Sequence, residues 1–242
     1  MLRQFPGLGQ AAPWSMDPQQ RARYFGLSDY LWAVPQFAND RDSLRQALNN
    51  LGSSVTRGGT ILLGEGVWTF YEEFEIDVPN IALVALAPQK TIFRRQENTS
   101  GPMMTMSGDG WRLHGIRIQD ESTDTGGGTY SFVLSGDRGA MSDCYFEKCP
   151  RAAVVTGDWC KVSDSHVESW NNGANCFAAL GSYPQFNCVG IEGAATTASI
   201  FAFDASVNGI YTNINSGAAT ALSYLGASGS THAAVLPAVT VR

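Results

Sequence analysis

The fold is decided by four segments that align on one another: HGIRIQDE at 114–121, SDCYFEKC at 142–149, SDSHVESW at 163–170 and NCVGIEGA at 187–194. Mostly apolar side chains recur in three columns of this alignment. The second and third columns are two residues apart, so they point to the same face of a strand. The three columns are Leu113, Met141, Val162 and Phe186; Ile116, Cys144, Ser165 and Val189; and Ile118, Phe146, Val167 and Ile191.

The spacing of these columns is that of a solenoid. The first column advances in steps of 28, 21 and 24 residues, and the pattern extends upstream to Ile81, Val84 and Leu86 and downstream to Ile210 and Ile214. One rung cannot bury its apolar face, but rungs stacked about 4.8 Å apart bury a continuous core. A β-sandwich would not require columns at this spacing. We predict an all-β protein, a single-stranded right-handed parallel β-helix over residues 55–225.

The flanking segments predict a helix and two appendages. In RDSLRQALNNLG the apolar residues Leu44, Ala47, Leu48 and Leu51 fall at helical spacing before Gly52, which predicts a capping helix over 41–54. Residues 1–40 hold four prolines and seven aromatics without strand alternation. They are expected to form an arm that wraps the main domain or anchors it in an assembly, and residues 226–242 a C-terminal strand or cap.

A short helix followed by GGTILLGEGVWTF at 58–70, a strand pair and repeated rungs resembles the opening of pectate-lyase-like β-helices, especially those of bacteriophage tailspikes and related virion proteins. The resemblance covers about residues 41–225. It implies that the helix hides an open sheet edge that would otherwise recruit other strands. Enzymes of this family carry paired aspartates or a Gly-His-Gly turn. Here there is no Asp-Asp pair and only Leu-His-Gly at 113–115, so no catalytic residue is carried over, and His114 is interpreted as a residue that begins a strand.

Bulk properties exclude several classes of protein. The net charge of -6 and pI of about 5.0 give no basic field for nucleic acid. The sequence contains no apolar run of about 18 residues, so no membrane-spanning helix is predicted. The first residues lack the apolar core of a signal peptide. The five cysteines, at irregular spacings without a CxxC pair, favour buried thiols over a zinc site or a disulfide framework. No cofactor or metal is predicted.

The outward positions of two neighbouring rungs carry the candidate catalytic groups. Paired carboxylates a few ångströms apart suit the cleavage of a glycosidic bond, and a nearby histidine can relay a proton. A glutamate column that also includes Glu192 runs up this face, where like charges oppose one another unless they are compensated. The alternative is a solvated polar face or a subunit interface. The candidates are Asp143, Glu147, Asp164, His166 and Glu168.

Aromatic residues near the ends of the rungs are candidates for binding a glycan. The apolar face of a pyranose stacks on an exposed aromatic ring, although buried aromatics are at least as common. The candidates are Trp111, Trp159, Trp170 and Tyr145.

Three functions share this fold. The first is a bacteriophage virion structural protein, a tail spike, tail fibre or head-decoration subunit assembled in the host cytoplasm. It would be a homotrimer that contacts other virion proteins through residues 1–40, with a cell-surface polysaccharide as a candidate ligand. The second is a polysaccharide lyase or glycoside hydrolase that uses the outward Asp and Glu residues. The third is glycan recognition by a virion protein without cleavage.

Overall fold

The computed structural model describes twelve segments of the chain. They are residues 30–33, 40–50, 58–95, 101–120, 130–149, 151–168, 177–187, 189–192, 201–204, 210–212, 215–216 and 222–225.

These residues form a right-handed parallel β-helix, as predicted. Each rung contributes one strand to sheet 1, one to sheet 2 and one to sheet 3, and all pairs are parallel. Sheet 1 holds β1 Tyr30–Ala33, β2 Gly59–Leu63, β5 Ile81–Ala85, β8 Arg112–His114, β11 Ala140–Ser142, β14 Lys161–Ser163, β17 Gln185–Asn187 and β20 Ile210–Thr212. Sheet 2 holds β3 Gly66–Phe70, β6 Thr91–Arg95, β9 Arg117–Asp120, β12 Tyr145–Glu147, β15 His166–Glu168, β18 Gly190–Glu192 and β21 Asn215–Ser216. Sheet 3 holds β4 Phe74–Ile76, β7 Met104–Met106, β10 Phe132–Leu134, β13 Ala153–Val155, β16 Phe177–Ala179, β19 Phe201–Asp204 and β22 Leu222–Leu225.

The predicted columns of the central rungs are confirmed. The first column is a register ladder in sheet 1, Leu113 on Met141 on Val162 on Phe186. The third is a ladder in sheet 2, Ile118 on Phe146 on Val167 on Ile191. The second column lies in the first corner, between sheets 1 and 2, and its side chains are also buried. Stacking identical positions about 4.8 Å apart therefore gives one continuous apolar interior.

The outer rungs correct the predicted register. Leu83, and not Ile81, lies beside Leu113, and Phe93, and not Leu86, lies beside Ile118. Val84, which was expected in the column of Ile116, lies beside His114. Downstream, Tyr211 and not Ile210 lies beside Phe186.

The helix α1 Asp40–Asn50 contributes to the same core. Leu44, Ala47 and Leu48 are buried within the cluster that fills the solenoid, and Arg45 lies over the ring of Phe74 at 5.7 Å. The helix contacts β1 and β3. Leu51, Gly52 and the rest of the predicted helix to residue 54, the arm to residue 29 and the C-terminal segment from 226 lie outside the described residues.

A second repeat, which the alignment above did not reveal, forms the third corner, between sheets 3 and 1. The sequences SGDGW, SGDRG, TGDWC and LGSYP at 107, 135, 156 and 180 stack on one another. A Cβ on Gly136 would lie 2.1 Å from the carbonyl oxygen of Gly108, and one on Gly157 equally close to that of Gly136. Only glycine therefore lets these rungs approach.

The aspartates of this corner join consecutive rungs. Asp109 Oδ1 accepts a hydrogen bond from the N–H of Asp137 at 3.0 Å, and Asp137 Oδ1 accepts one from the N–H of Asp158 at 2.8 Å. Asp158 Oδ1 in turn accepts the N–H of Ser182 at 2.6 Å. Carboxylate acceptors at backbone amides give strong, short hydrogen bonds, so the third corner has a regular polar spine.

An ion pair lies inside the solenoid, at the end of sheet 2. Arg95 Nη2 is 3.0 Å from Asp120 Oδ2, and both side chains are almost fully buried. Ser131 Oγ donates to the same carboxylate oxygen at 2.6 Å, and Arg95 Nη1 donates to the carbonyl of Gly101. Both side chains are shielded from solvent, so these neutral partners supply hydrogen bonds that water would otherwise make to the ion pair.

Cysteine burial agrees with the sequence interpretation for the three described cysteines. Cys144, Cys149 and Cys160 are buried free thiols, whereas Cys176 and Cys188 lie outside the described residues. Burial raises the pKa of Cys144 to about 12 and that of Cys160 to about 11. Within the described residues, no helix has the length and apolar character needed to span a membrane.

Candidate functional site

The first corner carries a cleft lined by ionisable side chains. It has a volume of about 360 Å³. Its lining residues come from four consecutive rungs and include three of the predicted catalytic candidates: Pro88, Gln89, His114, Asp143, Cys144, Tyr145, Asp164 and His166.

Two aspartates define the cleft. Asp143 follows β11 and Asp164 follows β14, and both adopt left-handed backbone angles, with φ of 53° and 50°. Aspartate tolerates this conformation better than most residues. Since Ser142 pairs with Ser163, the two aspartates occupy equivalent places on adjacent rungs, whose strands are about 4.8 Å apart. The equivalent place one rung earlier is Gly115, which opens the cleft on that side.

His114 is the catalytic candidate that the sequence interpretation set aside. Its Nδ1 lies 3.2 Å from Asp143 Oδ2 and 3.0 Å from Ser142 Oγ. The imidazole and the Asp143 carboxylate are 42% and 52% exposed, so both can reach a ligand in the cleft. Serine and aspartate share one ring nitrogen here, whereas a nucleophilic triad places them on opposite nitrogens. The geometry therefore suits proton transfer by a His–Asp pair. The sequence signal was present in Leu-His-Gly at 113–115.

His166 lies on the other wall of the cleft and is held by stacking. Its ring is parallel to that of Tyr145, with centroids 5.1 Å apart and an interplanar angle of 11°. Arg117 lies over the opposite face of Tyr145, 5.6 Å from the centroid. Both faces of Tyr145 are thus covered, which contradicts its prediction as a sugar-stacking platform.

The glutamate ladder forms in the predicted register but lies further along sheet 2. Glu147 pairs with Glu168, and Glu168 with Glu192. Glu147 Oε2 accepts hydrogen bonds from Arg117 Nη2 and from Gln119 Nε2, each at 2.6 Å. The Glu168 carboxylate accepts the hydroxyl of Tyr145. The repulsion expected within the ladder is therefore offset by these donors.

Glu147 is consequently held ionised. Burial alone raises the pKa of this carboxyl, but the hydrogen bonds from Gln119 and Arg117, with the positive charge of Arg117, outweigh it and bring the pKa below 4.5. A glutamate fixed in this way cannot serve as a proton donor near neutral pH. Of the five predicted catalytic residues, the cleft gathers Asp143, Asp164 and His166, while Glu147 and Glu168 do not line it.

A groove on the outer face of sheet 1 leads into the cleft. Its volume is about 670 Å³, and it shares Pro88 and His114 with the cleft. Most of its lining is apolar, including Leu62 and Val84. Among the described residues that line it, Arg112 is the only arginine or lysine, and it stands two residues before His114 on the same strand face. Groove and cleft together form a continuous surface for an extended ligand.

The three tryptophans predicted to bind a glycan differ in their surroundings. Trp111 is fully buried, and its Nε1 donates to the carbonyl of Gly136 at 2.9 Å, which contradicts its prediction as a glycan platform. Trp159 is exposed and stacks on Tyr183. Trp170 lies outside the described residues. The described residues contain no group of three or more His, Cys, Asp or Glu side chains placed to hold a metal ion.

Neither a protein-family model nor a curated protein matches the sequence. Solved structures do match at the level of the fold. The catalytic domain of a GH87 alpha-1,3-glucanase in complex with nigerose aligns with a TM-score of 0.50 and 11% identity, over 77% of this chain and 39% of that chain. The Agl-KA catalytic domain aligns with a TM-score of 0.52 and 13% identity, over 90% and 45%. A PL6 alginate lyase in complex with a trisaccharide gives 0.50 and 9%, over 85% and 57%.

These similarities define a class of fold, the β-helix shared with glycosidases and polysaccharide lyases. The chain spans about two fifths of the length of the glucanase chain. The prediction of a bacteriophage virion structural protein is thereby corrected. It rested largely on the resemblance of a helix and solenoid to virion proteins, whereas the solved structures that share this β-helix are carbohydrate-active enzymes.

Proposed function

We propose that the protein cleaves a polysaccharide, as a glycoside hydrolase or a polysaccharide lyase, in the cleft of the first corner. The observation that carries the proposal is the meeting of Asp143, Asp164, His114 and His166 around one solvent-accessible cleft. The fold is compatible with this activity, and the chemistry of the cleft is the argument for it.

Hydrolysis is the reaction that the two aspartates favour. Cleavage of a glycosidic bond needs one carboxyl group as proton donor and a second as base or nucleophile. Asp143 and Asp164 belong to adjacent rungs, whose strands lie about 4.8 Å apart, a spacing comparable to the roughly 5–5.5 Å between the carboxyl groups of retaining glycosidases. His114, beside the Asp143 carboxylate, and His166, on the opposite wall, can exchange protons with them.

Elimination is the alternative that Arg112 favours. A lyase removes a proton beside a sugar carboxylate, so it needs a base and a cation that neutralises the carboxylate. A histidine of the cleft can act as the base, and Arg112 supplies a guanidinium in the adjoining groove. Its neighbours in the ladder, Ala82 and Ala140, are small and leave the guanidinium accessible to a ligand.

Product analysis separates the two reactions. The protein is incubated with α-1,3-glucan, alginate and pectin oligosaccharides, together with bacterial capsular and O-antigen polysaccharides. Hydrolysis produces new reducing ends alone, whereas elimination also produces an unsaturated sugar with ultraviolet absorbance. A panel left uncut would contradict the proposal.

Site variants then locate the activity. Asp164→Asn and Asp143→Asn are expected to lower kcat about 10²-fold or more, as is usual when a general acid or base is removed. Asp109→Asn, an exposed carboxylate in the third corner, is the matched control and keeps full activity. Activity unchanged in both cleft variants would place the chemistry elsewhere.

A further inference from the structure

Two stacked aromatic residues form an exposed platform on the third corner, outside the cleft. The rings of Trp159 and Tyr183 are nearly parallel, with centroids 4.3 Å apart and an interplanar angle of 16°. Trp159 is 57% exposed and Tyr183 43% exposed. Since each ring covers one face of the other, exposure of this size means that further ring surface faces solvent.

The backbone offers no reason for aromatic residues at these positions. Trp159 and Tyr183 have φ of 60° and 55°, in the left-handed region that bulky residues rarely adopt. They continue a column of left-handed residues in which Asn80 and Gly110 are the residue types that accept this conformation readily. Strained residues that contribute little buried surface point to a role in binding rather than in folding.

The surroundings of the platform indicate the chemistry of its ligand. Arg138 precedes Trp159 in the same column and is exposed. Lys161 and Gln185, which follow the two aromatic residues by two positions, are also exposed and lie beside each other in sheet 1. A flat apolar surface rimmed by hydrogen-bond donors matches a ligand with an apolar face and an edge of oxygen acceptors, which describes a pyranose.

We infer that Trp159 and Tyr183 form a glycan-binding subsite separate from the cleft, on which a pyranose ring stacks while Arg138, Lys161 and Gln185 donate hydrogen bonds to its oxygens. Because the two rings cover each other's inner faces, the pyranose stacks on the outer face of one of them, so the pair accommodates one sugar ring. The strand β14 Lys161–Ser163 separates this corner from Asp164. A glycan of several sugars lying across sheet 1 therefore reaches both places. The choice of ligand class rests on the proposed function, whereas the geometry of the platform does not.

Calorimetric titration with the same oligosaccharide panel tests the subsite. Trp159→Asn and Tyr183→Asn remove the rings but retain a residue that accepts a left-handed backbone, so both variants fold. Each is expected to weaken binding of the tightest oligosaccharide at least tenfold. Tyr71→Asn, at another exposed aromatic residue, is the matched control and keeps the parent affinity. Parent affinity in both platform variants, or no binding by the parent protein at millimolar concentration, would overturn the inference.

The cleavage-deficient variant Asp164→Asn separates this inference from the proposed function. It is expected to bind oligosaccharide as the parent does, and to lose that binding when Trp159→Asn is added. If the parent protein cleaves no member of the panel but binds one of them through Trp159, the subsite is supported and the enzymatic function is contradicted. If the parent cleaves a polysaccharide and binds it equally well without Trp159, the enzymatic function is supported and the subsite is contradicted. A change of oligomeric state in Trp159→Asn without a change in affinity would show a protein contact and overturn the inference.

Discussion

Individual residues at the corners carry most of what is specific to this solenoid. The strands need only alternate apolar and polar side chains, but each corner needs particular residues because backbones approach closely there. Gly136 and Gly157 lie against the carbonyl oxygens of preceding rungs. Asp143 and Asp164 accept left-handed backbone angles and present their carboxylates to the cleft. Corner residues therefore fix both the stacking and the candidate site.

Gly136→Ala tests the close packing of the third corner. The added methyl group would lie 2.1 Å from the Gly108 carbonyl oxygen, so the rungs must separate, and we expect a loss of about 1–3 kcal/mol in the free energy of unfolding. Gly101→Ala is the control. Nothing lies within 4 Å of its added methyl group. The free energy of unfolding should therefore fall only by the cost of an alanine at a left-handed φ of 85°, about 1 kcal/mol. Urea unfolding measures both. Equal losses would contradict the packing argument.

Glu147 should make stability depend on pH in the acid range. Its pKa is lowered in the folded protein, so it contributes stability that is present above about pH 4.5 and is lost as the pH falls through the lower folded value. The variant Glu147→Gln should be less stable than the parent at neutral pH, and the difference should shrink below pH 4.5. Urea unfolding across this range measures the difference. The exposed Glu65→Gln is the control, and a difference that does not vary with pH would contradict the prediction.

At the scale of the elements, the sequence predicted the register of the central rungs correctly and that of the outer rungs incorrectly. The rungs that contain Leu113, Met141, Val162 and Phe186 have short first corners. The position of a residue in the aligned segments therefore identifies its partner on the next rung. In β5, Ile81, Leu83 and Ala85 all face inward, so the apolar pattern is identical after a shift of two residues. Only the hydrogen bonds to β8 decide that Leu83 is the partner of Leu113.

The candidate site was predicted in part for a related reason. Asp143, Asp164 and His166 were identified because they repeat in the aligned segments. The glycine column belongs to the third corner, whose repeat of a small residue, glycine and aspartate lies outside the aligned segments. Side-chain exposure could not be predicted from this repeat. Trp111 and Trp159 stand one position apart in it, yet Trp111 is buried and Trp159 is exposed.

The ion pair of sheet 2 gives a prediction at this scale. Asp120→Ala leaves the guanidinium of Arg95 buried without a counter-ion, and we expect the free energy of unfolding to fall by about 3–5 kcal/mol. Replacing both residues, as Arg95→Met with Asp120→Leu, should recover most of this loss because no buried charge remains. Urea unfolding of the parent, Arg95→Met, Asp120→Leu and the double variant forms a complete cycle, and Asp120→Ala is measured beside it. A double variant as unstable as Asp120→Ala would contradict the argument.

At the scale of the whole molecule, one apolar core runs from helix α1 through the rungs of all three sheets. Repeat proteins of this kind gain stability from contacts between neighbouring rungs. The predicted homotrimer and the role of residues 1–40 stay predictions. Light scattering of the purified protein checks the oligomeric state.

Thiol labelling reports on this continuous core. Burial raises the pKa of Cys144 to about 12 and that of Cys160 to about 11, so at pH 8 neither carries a useful fraction of thiolate. We expect both to resist iodoacetamide in the native protein and to react once urea passes the unfolding midpoint. Peptide mass spectrometry follows each site separately. Labelling of either cysteine well below the midpoint would reveal local opening of the core.

The spine of aspartates at the third corner makes the coil modular along its length. Because Asp137 and Asp158 occupy equivalent places 21 residues apart, cutting out 137–157 joins Gly136 directly to Asp158 and removes one complete circuit of chain. The Asp109 carboxylate then meets the amide of Asp158 in place of that of Asp137. In the shortened protein Cys160 takes the place of Gly139, where an added Cβ would lie 1.8 Å from the ring of Trp111, so retention of the circular dichroism requires Cys160→Gly as well. The excision also removes Asp143. Removal or duplication of a circuit therefore changes the length of the outer surface at the cost of one compensating glycine at the corner.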